Sequence, residues 1–299
     1  MSAISKEEVA LYDRQIRLWG MEAQTRLRSS SICFVGVKAL TLEACKNLVL
    51  AGIGTLTLVD PHPVTSADLE VQYYFTSDDL GEPRANVLAR SLRVLNPLVD
   101  IRVSEDVEGE YDVVVRVGTG GQNDERRVSV LADSVGLFGY IFVDCLGTHE
   151  YVEEVKPEGE GEVKRVKCVA EYHALAQSLV ARVEGSNVQR LRRKYPPLVF
   201  VFQALVAAGK LDASSVTAER LEQLVNDMLR SREIPGDIFD SDIISRVAQS
   251  WGTEFVPCAA VVGGTLAQEV LKIVTRKDMP VNNWYVYDAL KGDGITCKL

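Results

Sequence analysis

The sequence predicts an α/β protein built on a doubly wound, parallel sheet. Three observations carry this. Ser31-Ile-Cys-Phe-Val-Gly36 is a short, nearly continuous apolar run ending in glycine, the pattern of a strand buried on both faces. Leu40, Ala44, Leu48 and Ala51 then recur at helical spacing, with Gly52 and Gly54 to stop the helix. Thr55-Leu-Thr-Leu-Val-Asp60 is a second apolar strand, and its closing carboxylate lies 24 residues beyond Gly36. That is near the ~20-residue offset at which a Rossmann-like unit sets an acid against a ribose.

The other elements follow in order. Ser5 with Glu8 is a capping-box pattern, and Leu11, Ile16, Leu18, Trp19 and Leu27 among Arg14, Arg17, Arg26 and Arg28 predict one or two surface helices. Arg84 to Leu95 reads as a helix stopped by Asn96-Pro97. Val113-Val114-Val115 reads as a core strand, Asn123 to Val135 as a helix ending at Gly136, and Tyr140 to Val143 as a further strand. Alternating strands and helices argue for parallel pairing. Glu150 to Lys167, with Pro157-Glu-Gly-Glu-Gly-Glu162 at its centre, reads as a solvated loop. Leu221, Leu224, Val225, Met228 and Leu229 give Ala218 to Arg230 one apolar helical face. Pro257 opens a helix through Ile273 that contains Gly263 and Gly264. Two helical glycines cost about 1 kcal/mol each, which predicts close approach of another helix or subunit there. Trp284 to Asp288 reads as a strand, and Gly292-Asp-Gly294 as a turn before a short last strand. The expected division is 1–149, 150–254 as a mostly helical insertion, and 255–299 returning to the first fold.

Composition excludes several classes. The 299 residues are 46% hydrophobic and 25% charged, which is globular rather than disordered. Thirty-three Lys and Arg against 42 Asp and Glu give a net charge of −9, the wrong sign for a nucleic-acid binder. No uncharged apolar run reaches the ~18–20 residues of a membrane span, and the start lacks the basic flank and apolar stretch of a secretory leader. Cys33, Cys45, Cys145, Cys168, Cys258 and Cys297 form no C-x-x-C pair. They read as small core residues in a reducing compartment. His62, His149 and His173 are far apart, and no metal constellation is legible.

Several segments together resemble one family. Tyr12-Asp-Arg-Gln-Ile-Arg-Leu-Trp-Gly20, with Glu22-Ala-Gln24 and Arg26-Leu27, is similar to the N-terminal signature of ubiquitin-like-protein activating enzymes. Gly52 to Asp60 and Leu95-Asn-Pro97 match the same fold, a ThiF-type adenylation domain. Val256 to Val270, Asn282-Asn283 and Tyr287 to Gly292 resemble most the small, non-cysteine subunits of SUMO-activating enzymes. The resemblance covers about residues 7–149 and 255–297.

What it implies at the nucleotide site is incomplete here. Active members hold ATP on a glycine-rich loop whose amides face phosphate. In this chain Gly36 is followed by Val37-Lys-Ala-Leu-Thr41, and side chains at Ala39 and Thr41 crowd that approach. Positions that carry Asn, Arg and Gln in active members are Asp68, Val71 and Gln72, and Arg84 stands where they carry Lys, so the resemblance leaves one cation at the nucleotide site. The magnesium-holding Asp is replaced within Gly118 to Asn123, with no carboxylate before Asp124. Asp60 then reads as a structural relic more than a ribose ligand. The resemblance gives Arg14 a role in trans on the partner's ATP phosphates, with Arg17 three residues on as a second candidate; pairing of Arg14 with Asp13 or Glu22 is the alternative. It places the catalytic cysteine on the larger partner and makes Cys168 structural.

The expected protein is thus a catalytically incomplete adenylation subunit. It binds no cofactor of its own, with Mg-ATP at the partner's site. Its expected partners are the larger cysteine-bearing subunit and, through the complex, a SUMO-like modifier and its conjugating enzyme. The resemblance implies the nucleus, with the cytoplasm also open. The Gly263-Gly264 helix is the expected interface. Three alternatives stand: a homodimeric adenylyltransferase, a subunit of the NEDD8-activating enzyme, and a nicotinamide-dependent oxidoreductase. The last needs a glycine fingerprint that this chain lacks.

Overall fold

The computed structural model describes residues 5–119, 126–155, 164–183, 187–209, 211, 216–239 and 242–299. Three short helices open it: α1 (Lys6–Leu11), α2 (Asp13–Trp19) and α3 (Met21–Ser29). The capping box forms as the sequence predicts: the Glu8 amide donates to Ser5 Oγ at 3.2 Å, and the Ser5 amide donates to Glu8 Oε2 at 2.8 Å. Then come β1 (Ser31–Val35), α4 (Ala39–Ala51) and β2 (Thr55–Val59), within a residue or so of the expected bounds. Gly52 ends α4 in the left-handed region, and a Cβ there would lie 2.5 Å from the Tyr12 ring.

Onward run α5 (Ser66–Val71), α6 (Arg84–Leu95), β3 (Asp100–Val103), β4 (Val113–Val117), β5 (Ser129–Val135), β6 (Phe138–Asp144), β7 (Thr148–Val155) and β8 (Lys164–Glu171). The remainder is α7 (Leu175–Val180), α8 (Val188–Lys194), α9 (Pro197–Ala208), α10 (Ala218–Ser231), α11 (Ile243–Ser250), α12 (Val256–Thr275), β9 (Trp284–Asp288) and β10 (Asp293–Cys297).

The chain forms two compact units. One comprises Met1–Val115, Thr148–Glu171 and Gly263–Pro280. Its strands lie in the order β4-β1-β2-β3, with β1–β2 and β2–β3 parallel and Cys33 opposite Thr57. Leu40 and Leu48 of α4 and Leu88 and Leu92 of α6 are fully buried as the two helices pack together. Each such side chain contributes about 1.5–3 kcal/mol. The β7–β8 ribbon belongs to this unit. Its β7 edge is closed by Arg276 to Asp278: the Val152 amide donates to Arg276 O at 2.9 Å, and the Asp278 amide to Val152 O at 3.1 Å.

The other unit comprises Arg116–Gly147, Tyr172–Val262 and Val281–Leu299. Its strands lie in the order β5-β6-β9-β10 and are antiparallel throughout. Tyr140, Phe142, Phe200, Phe202 and Trp284 fill its core. Helix α10 buries Leu221, Val225 and Leu229, as its amphipathic pattern predicts. A buried polar chain crosses this core. Trp284 Nε1 donates to Ser178 Oγ at 2.7 Å, and Gln203 Nε2 to Ser178 O at 3.3 Å. Arg232 Nη1 donates to Gln203 Oε1 at 2.6 Å, and burial pushes the Arg232 guanidinium down to about 10.

Four sequence expectations are corrected. The helix expected over Asn123 to Val135 is the strand β5 where described; residues 123–125 lie outside the described residues. Gly136 does not stop a helix but opens a two-residue turn at φ +52°, after which Val135 pairs with Phe138. A two-residue turn joins only antiparallel strands, so parallel pairing stops short of this unit. The Glu150 to Lys167 loop is mostly ribbon, its centre at 156–163 lying outside the described residues. The last turn spans 289–292, and Asp293 and Gly294 already belong to β10. Helix α12 has the length and apolarity to cross a membrane. More than half of it is buried in this chain, and it holds the Glu269–Lys272 ion pair at 2.7 Å, as a core helix can.

Candidate functional site

The βαβ start of the first unit sets its candidate site at the C-terminal ends of β1 and β2. After β1 the chain turns at Gly36, φ +92°, whose amide donates to Val59 O at 2.9 Å. The Val37 amide donates to Asp60 Oδ2 at 2.7 Å. The Lys38 amide donates to Thr41 Oγ1 at 3.1 Å, and that hydroxyl donates to Gly36 O at 2.8 Å. Three successive amides of the turn are therefore committed inside the chain. Val37, Ala39 and Thr41 are buried around them.

Asp60 itself is buried and uses both oxygens locally. Its Oδ1 accepts the His62 amide at 2.9 Å and lies 2.7 Å from His62 Nδ1. Its role here is to tie the β2 end to the turn after β1, which agrees with a structural reading of the residue.

A second knot lies beyond. Asp68 Oδ2 accepts the Thr65 amide and hydroxyl at 2.8 and 2.7 Å, and Arg84 Nε and Nη2 at 3.1 and 2.9 Å. Gln72 Nε2 donates to Asp68 Oδ1 at 3.1 Å. Arg84 is thus not a surviving free cation, as the sequence alone had allowed. The pairing escaped sequence reasoning because its partners are 16 residues apart. Thr65-x-x-Asp68 is a capping pattern that could have flagged one side of it. Gln72 Oε1 is buried with no partner among the described residues. It is an acceptor, and an acceptor repels phosphate. Val71, where the resemblance expects arginine, is half-buried and uncharged.

These residues do not fit a magnesium–nucleotide complex: the amides are taken, the cation is neutralised and the leftover polar atom has the wrong polarity. The stretch expected to lack the magnesium carboxylate lies mostly outside the described residues, from Gly120 to Asp124. Gly118 and Thr119, which are described, bring no carboxylate.

Arg14 and Arg17 separate in the structure. Arg17 Nη2 lies 2.9 Å from Asp13 Oδ2, and Arg26 Nη2 lies 2.6 Å from Glu22 Oε1. Both acids offered as partners for Arg14 are therefore taken. Arg14 is exposed, and its side chain makes no hydrogen bond or ion pair among the described residues. Leu11 and Leu18, near it in sequence, are exposed by 62% and 66%.

The N-terminal signature has a structural use as well. Asn96 Nδ2 donates to Tyr12 Oη and to Val49 O, each at 2.8 Å, while Tyr12 covers Gly52. Three motifs distant in sequence meet in one buried cluster.

Gly263 meets the close approach of another helix that the sequence predicts. A Cβ there would lie 2.7 Å from Leu40 O and 2.8 Å from Glu43 Cβ, so this glycine admits α4 of its own chain. Gly264 faces open space. Cys33, Cys45, Cys145, Cys258 and Cys297 are buried and Cys168 half-buried. Burial pushes the Cys258 and Cys297 thiols up to about 12, far from the thiolate a nucleophile needs.

With this geometry in hand, comparison with known proteins is informative. Residues 12–115 match the ThiF family. The SUMO-activating enzyme subunit 1 of Rattus norvegicus is 33% identical across 98% of this chain and 94% of its own length. The subunit 1 of Homo sapiens is 34% identical across 98% and 95%. The DNA damage tolerance protein RHC31 of Saccharomyces cerevisiae is 28% identical across 97% and 96%. Among solved structures, E. coli MccB with MccA-N7isoASN superposes with a TM-score of 0.60 at 13% identity, covering 99% of this chain and 73% of that one. That likeness concerns the fold alone.

Proposed function

This chain belongs to the family of SUMO-activating enzyme subunit 1, and we propose that it is the catalytically incomplete half of a heterodimeric activating enzyme. The larger, cysteine-bearing partner holds Mg-ATP, adenylates the C-terminus of a SUMO-like modifier and takes it over as a thioester. The complex then meets the conjugating enzyme. This chain scaffolds the partner and lends it Arg14 in trans. A nuclear site of action goes with this reading and is checked by imaging a fluorescent fusion.

One observation carries the incompleteness: the polar groups of the Gly36–Asp60 turn are satisfied by one another, with the Val37 amide on Asp60 at 2.7 Å. A phosphate would have to break those bonds before making its own. A homodimeric adenylyltransferase needs the same amides free, so the geometry disfavours it. The exposed, unpaired guanidinium of Arg14 supports the trans role. A preorganised donor aimed at phosphate stabilises charge as it redistributes in the transition state. The depth of the cysteines supports a thioester on the partner.

The test is modifier-dependent ATP–pyrophosphate exchange. The purified chain is expected to give none, and the chain assembled with the larger subunit to give it robustly. Exchange by the chain alone would overturn the reading.

A further inference from the structure

We propose that the outer edge of β10 docks an extended segment of a partner protein that carries a basic and an apolar side chain two residues apart. Among the described residues β10 pairs with β9 alone, and Asp293 to Thr296 are exposed along it. That edge presents the backbone donors and acceptors on which a further strand pairs. Side chains alternate across a strand, so Asp293 and Ile295 share a face with Cys297, which is buried in the core of this unit. On β9, Asp288 stands opposite Asp293 and Val286 opposite Ile295.

The same face carries the seat for the occupant. Asp293 and Ile295 themselves line a hollow of about 530 Å³, together with Phe138, Leu198, Ile243, Val286 and Leu290. Leu290 and Ile295 are exposed by 50% and 43%, apolar surface that an apolar side chain would cover. A strand added outside β10 sets one side chain beside Asp293 and the next but one beside Ile295, over the hollow. Charge decides which is which. Three cations line the hollow, and each is engaged: Arg246 with Asp242 at 3.2 Å, Lys291 with Asp288 at 3.5 Å, and Arg192 Nη2 with the carbonyls of Asp237 and Phe239 at 2.8 and 3.3 Å. The remaining acid, Asp293, makes no hydrogen bond or ion pair through its side chain among the described residues. It also faces Asp288 across the strand pair, a like-charge arrangement that costs stability. A cation beside Asp293 relieves that repulsion, whereas a carboxylate there adds to it. The matching segment therefore sets lysine or arginine beside Asp293 and a leucine-sized side chain beside Ile295, with no proline between them. All of these residues lie in the second unit, apart from Arg14 and the Asp60 turn, so the proposal stands independently of the adenylation reading.

The probe is a fluorescein-labelled synthetic peptide of threonines in which a lysine and a leucine stand two residues apart, titrated onto the full chain. Anisotropy should report saturable binding, and amide hydrogen exchange should slow at 293–297. Replacing the peptide's leucine with alanine should weaken binding by about tenfold. Moving its lysine next to the leucine, and so onto the opposite strand face, should weaken binding by a similar factor. Asp293→Lys should lower affinity for the lysine peptide by about tenfold and raise affinity for a peptide with glutamate in its place, with circular dichroism and Tm preserved. Absent protection at 293–297, equal binding of the moved-lysine peptide, or unchanged affinities in Asp293→Lys would each overturn the proposal. Light scattering covers the other occupant: a dimer of this chain that Asp293→Lys disrupts would give the edge to a second copy and overturn the partner reading.

Discussion

Arg84 Nη2 lies 2.9 Å from Asp68 Oδ2, an oxygen that also takes the amide and hydroxyl of Thr65. The pair joins the start of α6 to the start of α5 and is mostly buried on the aspartate side. Removing the acid strands a half-buried guanidinium and an uncapped helix start. Asp68→Ala is expected to destabilise the chain by about 2–4 kcal/mol in urea unfolding, short of the full buried-pair cost because Arg84 still reaches water. A loss under about 0.5 kcal/mol would mean that Arg84 is free to serve another purpose.

Asp60 is expected to matter for folding and not for nucleotide affinity. Asp60→Ala leaves the Val37 and His62 amides without their acceptor, a cost of about 1–3 kcal/mol. ATP affinity of the assembled enzyme should not change. A weaker ATP affinity with intact assembly would restore the ribose-binding role.

The two adjacent glycines of α12 should respond oppositely. Gly263→Ala pushes a methyl group into the α4 backbone and is expected to cost about 1–3 kcal/mol of chain stability. Gly264→Ala meets open space and should stabilise the helix by about 0.5–1 kcal/mol. Thermal unfolding of the two variants separates an internal packing role from an external one. Equal losses would mean that open space at Gly264 misdescribes the helix.

His149 makes stability depend on pH in a known direction. Burial, then the nearby Arg276 guanidinium, holds its imidazole below the ordinary 6.5, against a smaller opposite pull from Glu150. The unfolded chain therefore takes the proton first as pH falls. This contribution is complete above about pH 7 and declines as pH drops through 6.5 towards the folded value. In His149→Gln the Tm should lose that part of its slope between pH 7 and 5.5. An unchanged slope would assign the dependence elsewhere.

The sequence made the first βαβ turn legible because buried parallel strands are continuous apolar runs and α4 has a clear 3.6 period. Helices α10 and α12 were legible for the same reason. Strand β5 was not: Ser-Val-Leu-Ala-Asp-Ser-Val carries polar residues that the fold buries, so no alternation marks it. The β7–β8 ribbon was hidden because charged residues lie on both of its faces. At the site, missing glycines and the valine at 71 could be read directly. The Asp68–Arg84 pair and the commitment of Asp60 could not, since both depend on contacts that only the folded chain makes.

Arg14 gives the strongest test of the functional reading. Its neighbours Arg17 and Arg26 hold the nearby carboxylates Asp13 and Glu22, so the Arg14 guanidinium stays exposed and uncompensated. Nothing in the fold of this chain explains it, and truncation should leave chain stability within about 0.5 kcal/mol. If it meets the partner's nucleotide, Arg14→Ala should slow single-turnover adenylate formation by about 10²–10³, the usual loss for one preorganised donor. Heterodimer affinity should hold. Arg14→Lys should rescue only in part, because an ammonium keeps the charge and loses the planar fork. Arg17→Ala serves as the control: its exposed pair with Asp13 is worth under about 1 kcal/mol and should leave the rate unchanged. A normal rate in Arg14→Ala would mean that the partner's site is complete without it, leaving this chain the role of scaffold.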